Sequence, residues 1–213
     1  MHTDIDRKVS LEQYRRRAKY YDSELTLFEP IRRSAIARLS LQQGATVLDV
    51  GSGTGLSFEL LQQAIGEQGH IVGIEQCPEM MNIAHSRVER HTWSNVTLIN
   101  ASADVASIPF KADAALFHFT HDILRSRKAI KNVVRSLKPG AAVVAAGLQW
   151  ASAPWAWPAN CFVFLAALHS TSSLEGLNEP WNYLAEQVGA MDVVSMPIGG
   201  IYIAKGVTGS AAT

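Results

Sequence analysis

The stretch Val47-Leu48-Asp49-Val50-Gly51-Ser52-Gly53-Thr54-Gly55 restricts the fold of this chain more than any other. Its first half belongs to a short apolar run, Ala45–Val50, that reads as a buried strand. Three glycines follow at alternate positions, and a helical repeat of apolar residues runs from Leu56 to about Ile65. A strand that passes through a glycine-rich turn into a helix is the opening unit of a doubly wound α/β sheet. In such sheets a ligand binds outside the carboxyl end of the strand. Glycines there lack a Cβ, so backbone can approach the ligand closely.

The rest of the chain extends that alternation. Apolar spacing predicts a charged amphipathic helix over 7–22 and a second helix over 29–39, with Ile31, Ala35 and Leu39 on one face. Strands are expected at 70–74, 96–99, 113–118 and 141–147, with helices at 78–91 and about 126–136 between them. Alternation of this kind needs crossover connections, hence a mostly parallel sheet with helices on both faces. Near the end, a helix at 180–188 precedes an antiparallel hairpin, 192–196 with 201–205, around Gly199-Gly200. A chain of 213 residues with no linker or repeat is expected to be one domain. Within it we expect N-terminal helices forming a lid (1–43), a ligand-binding core (44–147), an insertion (148–180) and a closing helix and hairpin (181–213).

The glycine spacing bears on the ligand. A dinucleotide fingerprint needs glycines at the first, third and sixth positions, and the sixth here is Leu56. Asp49 lies two residues before the first glycine, where a fixed anion would repel pyrophosphate and attract a cation. Glu75 ends the next strand and is suited to accept hydrogen bonds from both ribose hydroxyls. Asp104 and the Val105 N–H, beyond the third strand, could receive the amino group and ring of a base. Each has a plainer alternative: a tight connection, a solvated strand end, and a helix cap.

Taken in order, Asp49-Val-Gly-Ser-Gly-Thr-Gly55, Glu75, Ala103-Asp104 followed by Ile108-Pro109-Phe110, and Leu137-Lys-Pro-Gly140 resemble the motifs of the class I S-adenosylmethionine-dependent methyltransferases. The resemblance covers about residues 44–147. It implies a Rossmann-like, seven-stranded, mostly parallel sheet with a terminal antiparallel strand, and S-adenosylmethionine as cofactor. It further implies Asp49, Gly51, Ser52, Gly53, Thr54 and Gly55 at the methionine moiety; His118 is a further cofactor-binding candidate. Glu75 with Gln76 would hold the ribose, and Asp104 with Val105 the adenine. Two departures are Ala141, where the family has a second glycine, and the absence of a glycine before Asp104.

Methyl transfer from a sulfonium is an in-line displacement, so the protein mainly aligns donor and acceptor, and no metal is required. A base is needed where the acceptor atom carries a proton. The segment Phe117-His118-Phe119-Thr120-His121-Asp122 is expected to border the methyl group, with His121 beside Asp122 as the candidate base. The alternative makes His118 a satisfied polar strand end, His121 a helix start and Asp122 the N-cap of the helix that follows. Tyr14, Tyr20 and Tyr21 lie in the candidate lid. Tyr14 and Tyr20 are candidate cofactor contacts and Tyr21 a second catalytic candidate; core packing is the alternative. Arg15, Arg16, Arg17 and Lys19 form either a solvated face or a seat for an anionic acceptor. Residues 149–168 carry Trp150, Trp155 and Trp157, which suit an aromatic or apolar acceptor. The same segment suits peripheral contact with a membrane surface, or a cap or dimer interface.

Bulk composition narrows the partners. Lys plus Arg equals Asp plus Glu at 19 each, which removes the whole-protein electrostatic argument for nucleic acid. Cys77 and Cys161 match no metal-ligand spacing and suit a reducing compartment, and MHTDIDRKVS has no apolar leader core, so a cytoplasmic monomer or homodimer is expected. The resulting expectation is methyl transfer to an N, O or S atom of a small, partly apolar molecule. Alternatives are a phospholipid headgroup, or a catalytically silent module that regulates a partner.

Overall fold

The computed structural model describes residues 28–151, 160–161, 163–164, 175–196 and 200–209. Helix α1 (Glu29–Leu39) leads into strand β1 (Thr46–Val50), helix α2 (Phe58–Ile65), β2 (His70–Glu75), α3 (Pro78–Arg90) and β3 (Val96–Asn100). Then come β4 (Ala112–His118), a one-turn helix α4 (His121–Leu124), α5 (Arg127–Arg135) and β5 (Leu137–Leu148). The chain closes with α6 (Asn182–Val188), β6 (Asp192–Ser195) and β7 (Ile201–Val207).

Local sequence explains these boundaries. In α2, Phe58, Leu61 and Ile65 fall on one helical face and are fully buried, each contributing about 1.5–3 kcal/mol of transfer free energy. Pro78 begins α3, where its missing N–H costs nothing. The α5 cap is Ser126, whose side chain accepts from the Ala129 N–H at 3.2 Å. Asp122, expected in that role, instead lies inside α4. The turn at His121 closes one helical turn early because Ile123 and Leu124 N–H both return to the Thr120 carbonyl. The residues 138–140, expected as a turn before the fifth strand, lie inside β5, because Leu137 already pairs with Ala112 of β4.

The seven strands form one sheet in the order β3-β2-β1-β4-β5-β7-β6. The first five run parallel, and β7 lies antiparallel between β5 and β6. That is the expected Rossmann-like arrangement, including its closing hairpin. Side chains alternate across the sheet. Leu48, Val50, Ala115 and Phe117 join the core under α5 and α6, whereas Val47, Ala114 and Leu116 join the core under α1 and α2. Among the described residues, no helix is long and apolar enough to cross a membrane.

The order matters for the site. From β1 the chain steps outward to β2 and β3, then returns to the other side of β1 to place β4 and β5. The carboxyl ends of β1 and β4 are therefore the switch point, where loops leave in opposite directions and open a crevice.

Candidate functional site

At that crevice the register sets Asp49 opposite Leu116 and Val50 opposite Phe117. By alternation Asp49, His118 and, on β2, Glu75 all project to the α1/α2 face. The loop after β1 is pinned from below by Gly51 N–H and Ser52 N–H, both donating to the Ile74 carbonyl at 2.8 and 3.0 Å. Arg87 Nε holds the Thr54 carbonyl from the side at 2.9 Å. Gly51, Gly53 and Gly55 all adopt left-handed dihedrals, with φ of 74°, 56° and 78°.

Gly51 shows why no other residue fits. A Cβ there would stand 2.5 Å from Thr120 Cγ2, on top of the backbone strain of positive φ. Gly51→Ala is expected to destabilise the protein by about 2–3 kcal/mol, which thermal unfolding reads as a fall of roughly 5–10 °C.

Glu75 is occupied in part. Its two carboxylate oxygens accept from Gly53 N–H at 3.0 Å and Cys77 N–H at 2.7 Å, and the Gln76 N–H adds a third bond. Burial raises its pKa while these three donors lower it. A carboxylate offers about four lone-pair sites. Acceptor capacity is therefore left for ligand hydroxyls.

Asp49 is 2% exposed, and its Oδ2 has no hydrogen-bond partner. Burial pushes its pKa up to about 7; the nearby Arg32 cation opposes that rise and the Glu75 carboxylate adds to it. The same end of the sheet holds other buried polar atoms without a partner: Ser52 Oγ, His118 Nε2, Thr120 Oγ1, His121 Nδ1 and Arg32 Nε. Buried polar groups are nearly always paired in folded proteins. A cluster of unpaired ones at a switch point marks a place built for a polar ligand.

His118 is kept neutral. Burial and the Arg32 cation lower its pKa to about 3. Phe119, next in sequence, takes a left-handed φ of 56° and packs its ring 4.8 Å from Phe28. Strain of that kind, about 1–3 kcal/mol, is common where a strand end is re-aimed at a functional site. His121 is buried, and its Nε2 bonds the Glu175 carbonyl at 2.9 Å. A carbonyl only accepts, so Nε2 carries the proton and the unpaired Nδ1 carries the lone pair. The partner that orients His121 is thus this backbone carbonyl and not the adjacent Asp122.

The expected base-binding corner differs in detail. The Val105 N–H donates to the Ser102 carbonyl at 3.0 Å and is not free for a ring, while its side chain is exposed. Asp104 sits 3.4 Å from Lys128 Nζ. Trp150 is half-buried beside Leu148, Val163, Leu177, Phe119 and Ile201, an apolar cluster at the outer ends of β5 and β7. Tyr14, Tyr20, Tyr21, Trp155, Trp157 and the basic run at 15–19 lie outside the described residues.

One residue escaped the sequence reading. Arg32 is 3% exposed on the packed side of α1 and ion-paired with Glu29. The signal was present: Arg32, Ala35, Ile36 and Leu39 follow the i, i+3, i+4, i+7 spacing of a buried stripe. An arginine on such a stripe is informative.

Comparison with known proteins matches this geometry. The family model described as protein-L-isoaspartate(D-aspartate) O-methyltransferase (PCMT) matches residues 2–111, just over half of the chain. A protein-L-isoaspartate O-methyltransferase of Methanococcoides burtonii is 34% identical over 29% of this chain and 30% of its own length. A demethylmenaquinone methyltransferase of a Geobacillus species is 27% identical over 65% of this chain and 56% of its own. The chain thus spans about a third to just over half of these relatives. Among solved structures, the N-methyltransferase NodS of Bradyrhizobium japonicum, in complex with S-adenosylhomocysteine, superposes with a TM-score of 0.68 at 19% identity. That superposition covers 93% of this chain and 98% of NodS. The sheet order, the glycine turn and the matched half of the sequence agree: the chain belongs to the protein-L-isoaspartate(D-aspartate) O-methyltransferase family, and with it to the class I methyltransferases whose cofactor is S-adenosylmethionine.

Proposed function

We propose that the protein transfers a methyl group from S-adenosylmethionine to a nitrogen, oxygen or sulfur atom of a small, partly apolar molecule. The observation that carries the reading is the set of unpaired buried polar atoms around Asp49, Ser52, His118, Thr120 and His121, next to the apolar cluster of Leu148, Leu177, Phe119 and Trp150. A polar, cationic donor fits the first group, and an apolar acceptor body fits the second. When bound, the cofactor supplies a methyl group already activated on a positively charged sulfur.

The chain's own residues then do the rest. Asp49 would neutralise the ammonium, and the backbone of Gly51, Ser52, Gly53, Thr54 and Gly55 would border the methionine moiety. Glu75, with its remaining acceptor capacity, and Gln76 would hold the ribose. Asp104 and the exposed Val105 side chain would flank the adenine. Fixed alignment of this kind supplies roughly 7–11 kcal/mol of a bimolecular barrier. His121 Nδ1 takes the proton of an acceptor that carries one.

A second reading has one observation behind it. The family match and the Methanococcoides relative favour a protein isoaspartyl carboxylate as acceptor. One experiment separates the two. Binding of S-adenosylhomocysteine is measured by calorimetry, and transfer of tritiated methyl is followed over a panel of phenols, quinols, amines and thiols alongside an isoaspartyl peptide. Labelling of small acceptors is the expected result. Labelling of the peptide alone would replace the proposal with the second reading, and binding without transfer to either would make the protein a silent cofactor-binding module.

A further inference from the structure

We propose that the Tyr202 hydroxyl, with the space that Gly147 leaves beside it, recognises an uncharged oxygen of the methyl acceptor, a carbonyl or ether set apart from the atom that is methylated. The proposal rests on the reading that a small, partly apolar acceptor is methylated at this end of the sheet, and it narrows the class of that acceptor.

Tyr202 is one of the largest side chains that the fold buries, at 1% exposure. It faces the core under α5 and α6, in one cluster with Leu184 and Val188, and the Trp181 ring stands 4.8 Å from its own. These neighbours fix the ring. Burial alone raises the pKa of its hydroxyl; among the described residues no hydrogen bond and no charge acts on it. Buried tyrosine hydroxyls ordinarily find a partner. A phenylalanine would pack the same ring without the cost of an unpaired polar atom. The hydroxyl is therefore a protonated donor held ready for something that the chain itself does not supply.

The sheet sets that hydroxyl at its carboxyl edge. Tyr202 pairs with Gly147, one residue before the end of β5. A Cβ on Gly147 would stand 3.6 Å from Tyr202 Cε1, 3.9 Å from the hydroxyl oxygen and 3.8 Å from Phe119 Cα, all ordinary contacts. Neither crowding nor a positive φ requires glycine there, so its missing side chain leaves room for a ligand atom between the hydroxyl and the tip of β4. From Phe119 the chain passes through Thr120, whose Oγ1 is unpaired and whose Cγ2 faces Gly51, to His121 with its unpaired Nδ1. The tip of β4 thus lies between the glycine loop and Tyr202. Leu148 and Ile201, the neighbouring pair on the two strands, belong to the apolar cluster. An acceptor with its body on that cluster and its reacting atom toward the glycine loop can turn a second polar atom into the gap. A carboxylate there would need a cation, and Arg125 and Arg127, which follow α4, are paired with Glu175 and Glu186. A neutral oxygen needs only the donor.

The test adds to the acceptor panel pairs of equal shape that differ in one oxygen, such as meta-acetylphenol with meta-ethylphenol and the corresponding anilines and thiophenols. Tritiated methyl transfer is followed for the wild type, Tyr202→Phe and Gly147→Ala. Tyr202→Phe is expected to raise KM for the acetyl member about tenfold with kcat within about threefold, and to change KM for the ethyl member less than about threefold. Its melting temperature should equal or exceed that of the wild type, because the lost hydroxyl had no partner. Gly147→Ala fills the gap and should lower the preference for the acetyl member at least about threefold. Equal KM changes for both members in Tyr202→Phe, an unaltered preference in Gly147→Ala, or a melting temperature of Tyr202→Phe more than about 5 °C below wild type overturns the assignment. Labelling of no small acceptor by a wild type that still binds S-adenosylhomocysteine sinks the small-molecule reading and this assignment with it, an outcome distinct from the failure of Tyr202 alone.

Discussion

Asn in place of Asp49 is expected to stabilise the ligand-free protein and at the same time to weaken S-adenosylhomocysteine binding by about 10²–10³-fold. Both effects come from one buried carboxylate. In the unfolded chain an aspartate titrates near 3.8, and in the folded protein burial raises Asp49 to about 7. The native state therefore holds this proton more tightly than the unfolded state does. Between about pH 4 and pH 7 stability falls as pH rises, and above pH 7 the full cost is present, on the order of 4 kcal/mol for a shift of about three units. Asn has no proton to lose. Its own unpaired amide costs about 1–3 kcal/mol, so a net gain of roughly 1–3 kcal/mol remains at pH 8. For a chain of this size that is a rise in melting temperature of about 3–10 °C, shrinking toward zero near pH 5. Binding moves the other way, because the ammonium needs the ionised carboxylate. In the wild type, affinity should rise about tenfold per pH unit up to about pH 7 and then level off, with proton release on binding. The variant should show no such slope. A melting temperature that drops at pH 8, or an affinity within threefold of wild type, would remove Asp49 from the ligand's cationic end.

This trade-off also explains what the sequence could and could not disclose. The glycine turn, the carboxylates at two strand ends and the spacing of five strands were legible because each depends on local rules: period two, period 3.6, and positive φ at glycine. Asp49 could be placed at a strand end because it interrupts an apolar run. Its orphaned Oδ2 could not be foreseen, since pairing depends on what α1 lays over the strand. Arg32 differs: its place on the stripe with Ala35, Ile36 and Leu39 is legible in the spacing, whereas its partnerless Nε depends on how the helix docks on the sheet. Glu75 was identified, but not the share of its lone pairs taken by Gly53, Cys77 and Gln76. The bond of the Val105 N–H was not legible for a similar reason: it turns back to the Ser102 carbonyl, and turns of that kind carry no strong residue signature. A helix start at His121 was one of the two readings of that segment, but the end of α4 at Leu124 was not legible, because a single turn has no periodicity to detect.

His121 gives the second large effect, and its two nitrogens allow a test that distinguishes chemistry from positioning. Nε2 is committed to the Glu175 carbonyl, which ties α4 to the segment leading into α6. Nδ1 is buried, unpaired and, by the tautomer that this bond selects, a lone-pair acceptor. Burial lowers the His121 pKa below its ordinary 6.5, with the Glu175 bond and Asp122 opposing that fall and the Arg125 cation adding to it. A base acts in its neutral form, so the methyl-transfer rate should hold level from pH 8 to below 6.5 and decline only under the lowered pKa. His121→Gln places an amide nitrogen where Nε2 was and can keep the Glu175 bond, but supplies no base at the Nδ1 position. It is expected to lower kcat by about 10²–10⁴ for an acceptor that carries a proton, to abolish the acidic limb, and to leave S-adenosylhomocysteine affinity and melting temperature near wild type. His121→Asn does the reverse at the Nε2 end: it gives up the Glu175 tie and should lower the melting temperature as well as kcat. If His121→Gln retains kcat within threefold while His121→Asn loses stability, the imidazole serves only as a clasp for the acceptor side, and the proton must leave through another group or directly to water.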